Sequence, residues 1–218
     1  MFTNIYKSVV IIFSGIAFFS ACSAQIKSSV EKENDEIITQ PNAVAYFASG
    51  CFWCVESIFE SLQGVDEVIS GYAGGTAGDA NYRAVSAGIT DHAETVAIHY
   101  DSTIIDFATL LEVFFASHDP TTVNQQGPDR GRHYRSAIFY RNDEEKKLAA
   151  NYIDQLLAEN VFSRITTEVT KFEAFYKAEE YHQDYEMKNP RDPYVCRVSI
   201  PRLHAFQKKY PELLKSKN

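Results

Sequence analysis

Cysteine, methionine and tryptophan are all scarce in this chain. Its 218 residues include four cysteines, two methionines and one tryptophan. A zinc site takes four closely spaced ligands, commonly as pairs of cysteine or histidine, and none of His92, His133 and His182 completes such a pattern with the cysteines. We therefore predict that no metal ion is bound.

Positive charge is limited as well. The formal net charge is −8, and the lysines that cluster near the C-terminus are explained by a solvated terminal helix. Nucleic-acid-binding proteins normally carry a basic surface, so we predict no nucleic-acid partner. Hydrophobic residues make up 45% of the chain and aromatic residues 13%, which suffices for the core of one globular domain.

An apolar run near the N-terminus is typical of a secretory signal. Lys7 precedes the run Val9–Phe19, and the small residues Ser20 and Ala21 then precede Cys22. Small residues directly before a cysteine resemble the bacterial lipobox, in which that cysteine is acylated. We expect a lipoprotein-type signal peptide over residues 1–21, with lipidated Cys22 anchoring a periplasm-facing lipoprotein in the bacterial cell envelope. Cleavage near Ala24 without lipidation and a retained anchor are the alternatives.

Residues 22–42 are polar and charged without periodicity, which predicts a flexible tether before a folded domain at 43–218. If Cys22 carries lipid, the domain retains Cys51, Cys54 and Cys196. Three thiols outside the cytoplasm do not make a structural disulfide framework, and the odd number indicates thiol exchange chemistry.

The segment Gly50-Cys51-Phe52-Trp53-Cys54 carries the strongest chemical signal. The apolar run 44–48 before it predicts a buried strand, and apolar residues at helical spacing follow it at 55, 58, 59 and 62. Cys51 is thus expected at a helix N-terminus, where free N–H groups and the helix dipole favour a thiolate. Cys54 is then within disulfide reach of Cys51. The plain alternative is two small residues that fill a core.

The remaining pattern predicts a compact α+β domain of two layers, a sheet and helices. Strands are expected at 65–72, 94–100, 137–140 and 165–169. Helices are expected at 107–114, at 149–156 with Asp143 as N-cap, and after Pro201, whereas 121–135 is expected to be a loop and 175–185 helical or loop-like.

Glu94 is the candidate general acid. In an extended strand it shares a face with Val96, Ile98 and Tyr100, the more apolar of the two faces. A buried carboxyl tends to keep its proton, which suits acid catalysis near neutral pH. A strand-end glutamate turned towards solvent is the alternative. For Tyr82 and Tyr134 in loops, and for Asp129 in a turn, structural roles are the default interpretation.

A set of ordered motifs resembles the peptide methionine sulfoxide reductase A family over residues of about 43–203. The motifs are Gly-Cys-Phe-Trp-Cys at 50–54, Ser-Gly-Tyr-Ala-Gly-Gly at 70–75, Asn-Tyr-Arg at 81–83, His-Ala-Glu-Thr-Val at 92–96, His-Asp-Pro-Thr at 118–121, Gln-Gly-Pro-Asp-Arg-Gly at 126–131, Tyr-Arg-Ser-Ala-Ile at 134–138 and Ala-Glu-Glu-Tyr-His-Gln at 178–183. The resemblance implies a ferredoxin-like core. It also implies reduction of the S epimer of free and protein-bound methionine sulfoxide, as part of oxidative-damage repair.

The resemblance also assigns roles to the candidate residues. Cys51 attacks the sulfoxide sulfur and becomes a sulfenic acid, while Glu94 protonates the sulfoxide oxygen. The other implied roles are hydrogen bonds to that oxygen from Tyr82 and Tyr134, a polar network through Asp129, and a cradle for the substrate methyl group from Phe52 and Trp53. Arg132 and His133 depart from the expected Thr-Gln, and Asp91 from the expected glycine.

The thiol that resolves the sulfenic acid is left between Cys54 and Cys196. Cys54 closes a very small loop, and we favour it. Cys196 lies where some family members carry their resolving cysteine, although Val195 occupies the position directly after Pro-Tyr. The intramolecular disulfide would be recycled by a thioredoxin-like protein or by dithiothreitol, with no bound cofactor. We expect a monomer.

Three other functions remain open at this point. A Cys-x-x-Cys motif after a strand is typical of thioredoxin-like disulfide exchange proteins, although these place tryptophan before the first cysteine. A hydrolase could pair Cys51 with His92 or His182. A lipoprotein binding module without enzymatic activity could use the aromatic pocket. Stereospecific reduction of methionine sulfoxide distinguishes the reductase from all three.

Overall fold

The computed structural model describes residues 41–216, so the expected signal peptide, Cys22 and nearly all of the tether lie outside the described residues. The strands are β1 Pro41–Ser49, β2 Val65–Ala73, β3 Ala93–Asp101, β4 Gln125–Gln126, β5 Asp129–Arg130, β6 Ser136–Tyr140, β7 Glu168–Lys171 and β8 Phe175–Lys177. The helices are α1 Phe52–Glu60, α2 Tyr82–Ser86, α3 Phe107–Ala116, α4 Asp143–Ala158, α5 Tyr185–Lys188 and α6 Ile200–Lys209. A π-helical turn, Val195–Ser199, leads directly into α6.

Six strands form one sheet in the order β7-β6-β1-β3-β2-β8. The pairs within β6-β1-β3-β2 are antiparallel, as is the pair of β2 with β8, whereas β6 and β7 run parallel. With α1 after β1 and α3 after β3, the central four strands follow the β-α-β-β-α-β order of a ferredoxin-like core. The predicted α+β class is therefore confirmed.

The main core lies between this sheet and its helices. The Phe47 ring on β1 contacts Phe59 of α1, with ring centroids 5.7 Å apart, and Phe114 of α3, with centroids 5.0 Å apart. On the opposite face the Tyr46 ring stacks on Phe172 at 4.0 Å. Both faces of β1 are therefore covered, as its continuous apolar sequence predicts.

The predicted elements differ from the structure in four places besides Tyr82, which was expected in a loop and begins α2. Asn142, not Asp143, caps α4, because its side chain accepts the N–H of Glu145 at 2.8 Å. Strand β7 begins at Glu168, so only the end of the predicted 165–169 strand is extended. The 121–135 loop contains the short hairpin of β4 and β5. The fourth difference is at 175–185.

A strand, β8, replaces the first part of the predicted helix or loop at 175–185. It pairs with β2, and Phe175 packs over Gly71, where an added Cβ would lie 2.3 Å from the phenylalanine ring. The missing side chain of Gly71 thus makes room for the edge strand. Within residues 41–216, no helix has both the length and the apolar character needed to cross a membrane.

Candidate active site

The turn from β1 into α1 places Cys51 at the helix N-cap, where its side chain is 6% exposed. Gly50 allows this turn, because its φ is +94° and an added Cβ would lie 2.6 Å from Gln126 Cβ. The carbonyl of Cys51 accepts the N–H groups of Cys54 at 3.2 Å and Val55 at 3.3 Å. The nucleophile predicted from sequence therefore lies at the N-terminal end of α1.

The Glu94 carboxyl lies against the same helix end. It is 2% exposed, and its Oε2 accepts the backbone N–H of Phe52 at 3.1 Å. Burial raises the pKa of Glu94 to about 8, an effect that the hydrogen bond from Phe52 opposes. The carboxyl thus keeps its proton at pH 7, which is the state needed for acid catalysis.

These two residues open into one pocket of about 310 Å³. Its walls contain every residue that the sequence predicted for substrate chemistry: Cys51, Phe52, Trp53, Tyr82, Glu94, Asp129 and Tyr134. Two further wall residues, Asp192 and Tyr194, were not predicted. Burial raises the pKa of Tyr82 and of Tyr134, so both phenols keep the proton that a hydrogen-bond donor needs.

The aromatic wall of the pocket is fixed by hydrogen bonding and stacking. Trp53 Nε1 donates to His182 Nδ1 at 3.1 Å, and the indole stacks on Tyr185 with centroids 3.7 Å apart and planes at 8°. Burial lowers the pKa of His182, which keeps Nδ1 available as an acceptor. His182 therefore positions the indole.

Tyr194 is the functional candidate that sequence reasoning missed. Its hydroxyl donates to Asp129 Oδ2 in a short hydrogen bond and lies 3.9 Å from Cys54 Sγ. Its backbone is fixed by Asp192, whose Oδ1 accepts the Tyr194 N–H at 2.8 Å. The signal available in the sequence was the Asp-Pro-Tyr segment at 192–194, which Val195 separates from Cys196.

Cys54 is the thiol that the structure brings to Cys51. It is 1% exposed, and its Sγ lies 2.9 Å from Ser199 Oγ. Burial raises the pKa of Cys51, whereas a hydrogen bond from Cys51 lowers the pKa of Cys54 to about 6. Burial of the Cys51 sulfur, with Cys54 and Glu94 beside it, thus opposes the thiolate that the helix end was expected to favour.

Cys196 is not part of the pocket. It is exposed on the π-helical turn, and its thiol donates to the carbonyl of Pro190 at 3.3 Å. The preceding residue, Val195, is fully buried. The one-residue offset noted in the sequence thus coincides with an outward-facing cysteine.

Two of the departures from the family motifs contact each other. Arg132 Nε lies 3.3 Å from Asp91 Oδ1, with both side chains substantially exposed. The pair joins the turn before Tyr134 to the start of the strand that carries Glu94. Among residues 41–216, no group of three or more histidine, cysteine, aspartate or glutamate side chains is arranged to bind a metal ion.

Comparisons with known proteins identify relatives over most of the chain. The family described as peptide methionine sulfoxide reductase matches residues 43–214. The chain is 49% identical over 176 residues to peptide methionine sulfoxide reductase MsrA 2 of Synechocystis, covering 80% of this chain and 82% of that protein. It is 46% identical to MsrA of Natronomonas pharaonis, covering 80% of this chain and 99% of that protein.

Solved structures show the same fold. The reduced form of Mxr1 from Saccharomyces cerevisiae superposes with a TM-score of 0.66 at 34% identity, covering 69% of this chain and 87% of that one. Methionine sulfoxide reductase A of Corynebacterium diphtheriae gives a TM-score of 0.62 at 33% identity, covering 69% and 76% of the two chains.

Proposed function

The chain belongs to the peptide methionine sulfoxide reductase family and reduces methionine sulfoxide to methionine, and we propose that it acts on the S epimer through Cys51 and Glu94. The observation that carries the assignment of roles is the buried, protonated Glu94 bound to the first turn of the helix that begins at Cys51. The family match over residues 43–214 favours the reductase over thioredoxin-like exchange, a hydrolase and a binding module.

In the first step, Cys51 sulfur attacks the sulfoxide sulfur while Glu94 protonates the departing oxygen. The protonated oxygen passes from the methionine sulfur to Cys51 as the transient bond between the two sulfurs breaks, and the proton that Cys51 lost on attack returns to Glu94. Cys51 is thereby oxidised by two electrons to a sulfenic acid, and the methionine sulfur is reduced by two electrons. Protonation is needed because an unprotonated sulfoxide oxygen is a poor leaving group. The phenols of Tyr82 and Tyr134 supply hydrogen bonds to that oxygen, and the rings of Phe52 and Trp53 contact the methyl group.

The raised pKa of Cys51 in the free enzyme fits a mechanism in which the thiol loses its proton only with substrate in the pocket. An uncharged thiol is a weaker nucleophile but is also less prone to oxidation by small oxidants. Coupling deprotonation to substrate binding therefore gives selectivity for the sulfoxide.

In the second step, Cys54 resolves the sulfenic acid. In the reduced enzyme a hydrogen bond from Cys51 lowers the pKa of Cys54 to about 6, and Arg202 and Ser199 also lower it in ways that do not depend on the Cys51 thiol. The thiolate attacks Cys51 sulfur, the S–S bond forms, and the S–O bond breaks with loss of water after protonation. Exposed Cys196 serves as a second relay, which presents the disulfide to a thioredoxin-like reductant. No bound cofactor takes part.

A stereochemical assay tests the reductase assignment. The enzyme is incubated with dithiothreitol and with each epimer of peptidyl methionine sulfoxide, and methionine is measured by chromatography. Consumption of the S epimer alone supports the proposal, whereas reduction of the R epimer or of neither contradicts it. The resolving cysteine is identified separately by peptide mass after one turnover without reductant, and a Cys51–Cys196 link with free Cys54 contradicts the choice of Cys54.

We also propose that the enzyme is a monomeric lipoprotein of the bacterial cell envelope, acting on oxidised proteins, peptides and free methionine sulfoxide. Lys7, the apolar run Val9–Phe19 and the small residues before Cys22 support this localisation. Intact mass of the mature protein tests it, since a chain that begins at Met1 or Gln25 without acyl groups contradicts lipidation.

A further inference from the structure

Arg202 joins the C-terminal helix to the turn that carries the nucleophile. Its guanidinium Nη2 donates to the carbonyl of Ser49 at 3.1 Å, and its Nε donates to the carbonyl of Ser117 at 2.7 Å. Ser49 is the last residue of β1, two positions before Cys51, and Ser117 follows the last turn of α3. One planar side chain thus fixes both elements that border the catalytic turn.

The same helix start contacts Cys54. Ser199 and Arg202 are three residues apart in continuous helical structure, so their side chains project from the same side. Ser199 Oγ lies 2.9 Å from Cys54 Sγ, which places this side of the helix over the sulfur. An added Cβ at Gly50 would lie 3.7 Å from Arg202 Nη1, so the guanidinium also lies close to the residue before Cys51.

We propose that Arg202 is a positioning residue for the disulfide-forming half of the reaction, which fixes the turn before Cys51 and keeps a permanent positive charge near the Cys54 sulfur. The inference rests on the proposed function, because it requires Cys54 to attack the sulfenic acid on Cys51. Arg202 does not transfer a proton to or from either sulfur. It acts by stabilising the Cys54 thiolate.

The groups around Cys54 show why a fixed charge matters there. The titratable or charged groups that bear on this thiol are Cys51, Glu94, Tyr194 and Arg202, with Asp129 bound to Tyr194. A Cys54 thiolate opposes ionisation of Glu94 and so helps to raise the pKa of that carboxyl, whereas Arg202 is always protonated. Its charge lowers the pKa of Cys54, and it also opposes the rise in the pKa of Asp129.

The test is the pH dependence of disulfide formation in a single turnover without reductant. Full-length enzyme is mixed with one equivalent of the S sulfoxide, alkylated at intervals, and the Cys51–Cys54 link is measured by peptide mass. R202Q removes the charge, and R202K keeps it while losing the planar two-bond contact. K208Q makes the same charge change at an exposed position of the same helix.

We expect R202Q to move the midpoint of the pH–rate profile upwards by about one pH unit. At a pH below the midpoint, the fraction of Cys54 present as thiolate would then be about tenfold lower in the variant than in the original enzyme. R202K should be slower than the original enzyme but keep its midpoint, and K208Q should match the original. If R202Q does not fold, as judged by circular dichroism, R202M removes the charge while keeping an apolar stem.

Two results overturn the inference in distinguishable ways. A charge-removing variant that is slower by the same factor at every pH, with an unmoved midpoint, shows a purely structural role for Arg202 and leaves the proposed function intact. If the original enzyme releases methionine but forms no Cys51–Cys54 link, the assignment of Cys54 fails together with the inference.

Discussion

Glu94 Oε2 accepts the backbone N–H of Phe52 at 3.1 Å, so the candidate acid is tied to the residue next to the nucleophile. The bond joins the central strand β3 to the first turn of α1. Because neither element can move without breaking it, the distance between the proton donor and the Cys51 sulfur is set by the fold and does not depend on a mobile loop.

The first prediction concerns E94Q, which keeps the shape of the side chain and removes the acid. We expect the rate of methionine release to fall by about 10²–10⁴-fold. In the original enzyme the acid is present below its pKa of about 8, so activity should decline as pH rises through that value. Single-turnover rates across neutral and alkaline pH measure both effects. A variant within a few-fold of the original, with the alkaline decline intact, contradicts the role.

The second prediction is that C51S releases no methionine while keeping the fold, because a hydroxyl is a far poorer nucleophile than a thiolate. C196S makes the same chemical change at the exposed cysteine and is the matched control. It should release the first equivalent of methionine, since Cys196 acts only after the sulfoxide has been reduced. Turnover in C51S would end the proposed mechanism.

The third prediction concerns Y194F, which removes the hydroxyl between Asp129 and the Cys54 sulfur. A hydrogen bond to a charged group contributes about 1.5–3 kcal/mol, so we expect disulfide formation to slow by about tenfold or more. Y140F, at the end of β6 and outside the pocket, is the control. Equal rates for Y194F and the control would show that the Tyr194 hydroxyl has no part in the step.

The fourth prediction concerns Glu56, which is 2% exposed on α1 and whose pKa burial raises to about 8. Between about pH 4.5 and about pH 8, the unfolded chain releases this proton and the folded chain keeps it. The free energy of unfolding therefore falls as pH rises through this window, by at most about 1.4 kcal/mol per pH unit for one group. E56Q removes this contribution, so its stability relative to the original protein should increase with pH.

Urea unfolding at several pH values measures the effect, with E212Q at an exposed position as the control. A stability difference between E56Q and the original protein that stays constant from mildly acidic to mildly alkaline pH would show that Glu56 binds its proton equally in both states.

The fifth prediction is that the Arg132–Asp91 pair contributes little to the free energy of unfolding or to activity. The two side chains are 48% and 76% exposed, and solvent-exposed ion pairs typically contribute about 0.2–1 kcal/mol. A double-mutant cycle with D91G and R132T should give a coupling energy in that range and leave methionine release within about twofold. A larger coupling energy, or a loss of activity in D91G, would mean that the pair positions Glu94 or Tyr134.

The sequence predicted the parts of the fold whose patterns are local. Strand β1 is continuously apolar and α1 has apolar residues at helical spacing, so both were found with nearly correct bounds. Strand β8 was missed because three residues carry no periodic signal, and its pairing depends on the space above Gly71, which belongs to a distant segment.

Most residues of the candidate site were predicted from the sequence, but the protonation states of its thiols were not. The motifs located Cys51 and Glu94, whereas alternation along β3 left the carboxyl between a buried and a solvent-facing position, and the structure buries it. The protonation of Cys51 could not be predicted, because it depends on how completely the folded chain excludes water from the sulfur. Tyr194 was missed because its contact with Asp129 joins segments 65 residues apart.

Trp53 is the only tryptophan in the chain, and it forms part of the pocket wall next to the reacting thiols. Indole emission responds to the polarity of its surroundings and to quenching by nearby groups, here the stacked Tyr185 ring and the bonded His182 imidazole. Excitation of tryptophan therefore reports on a single location, the active site. The intrinsic fluorescence of Trp53 can therefore be used, without any label, to follow substrate binding and changes in the redox state of the thiols.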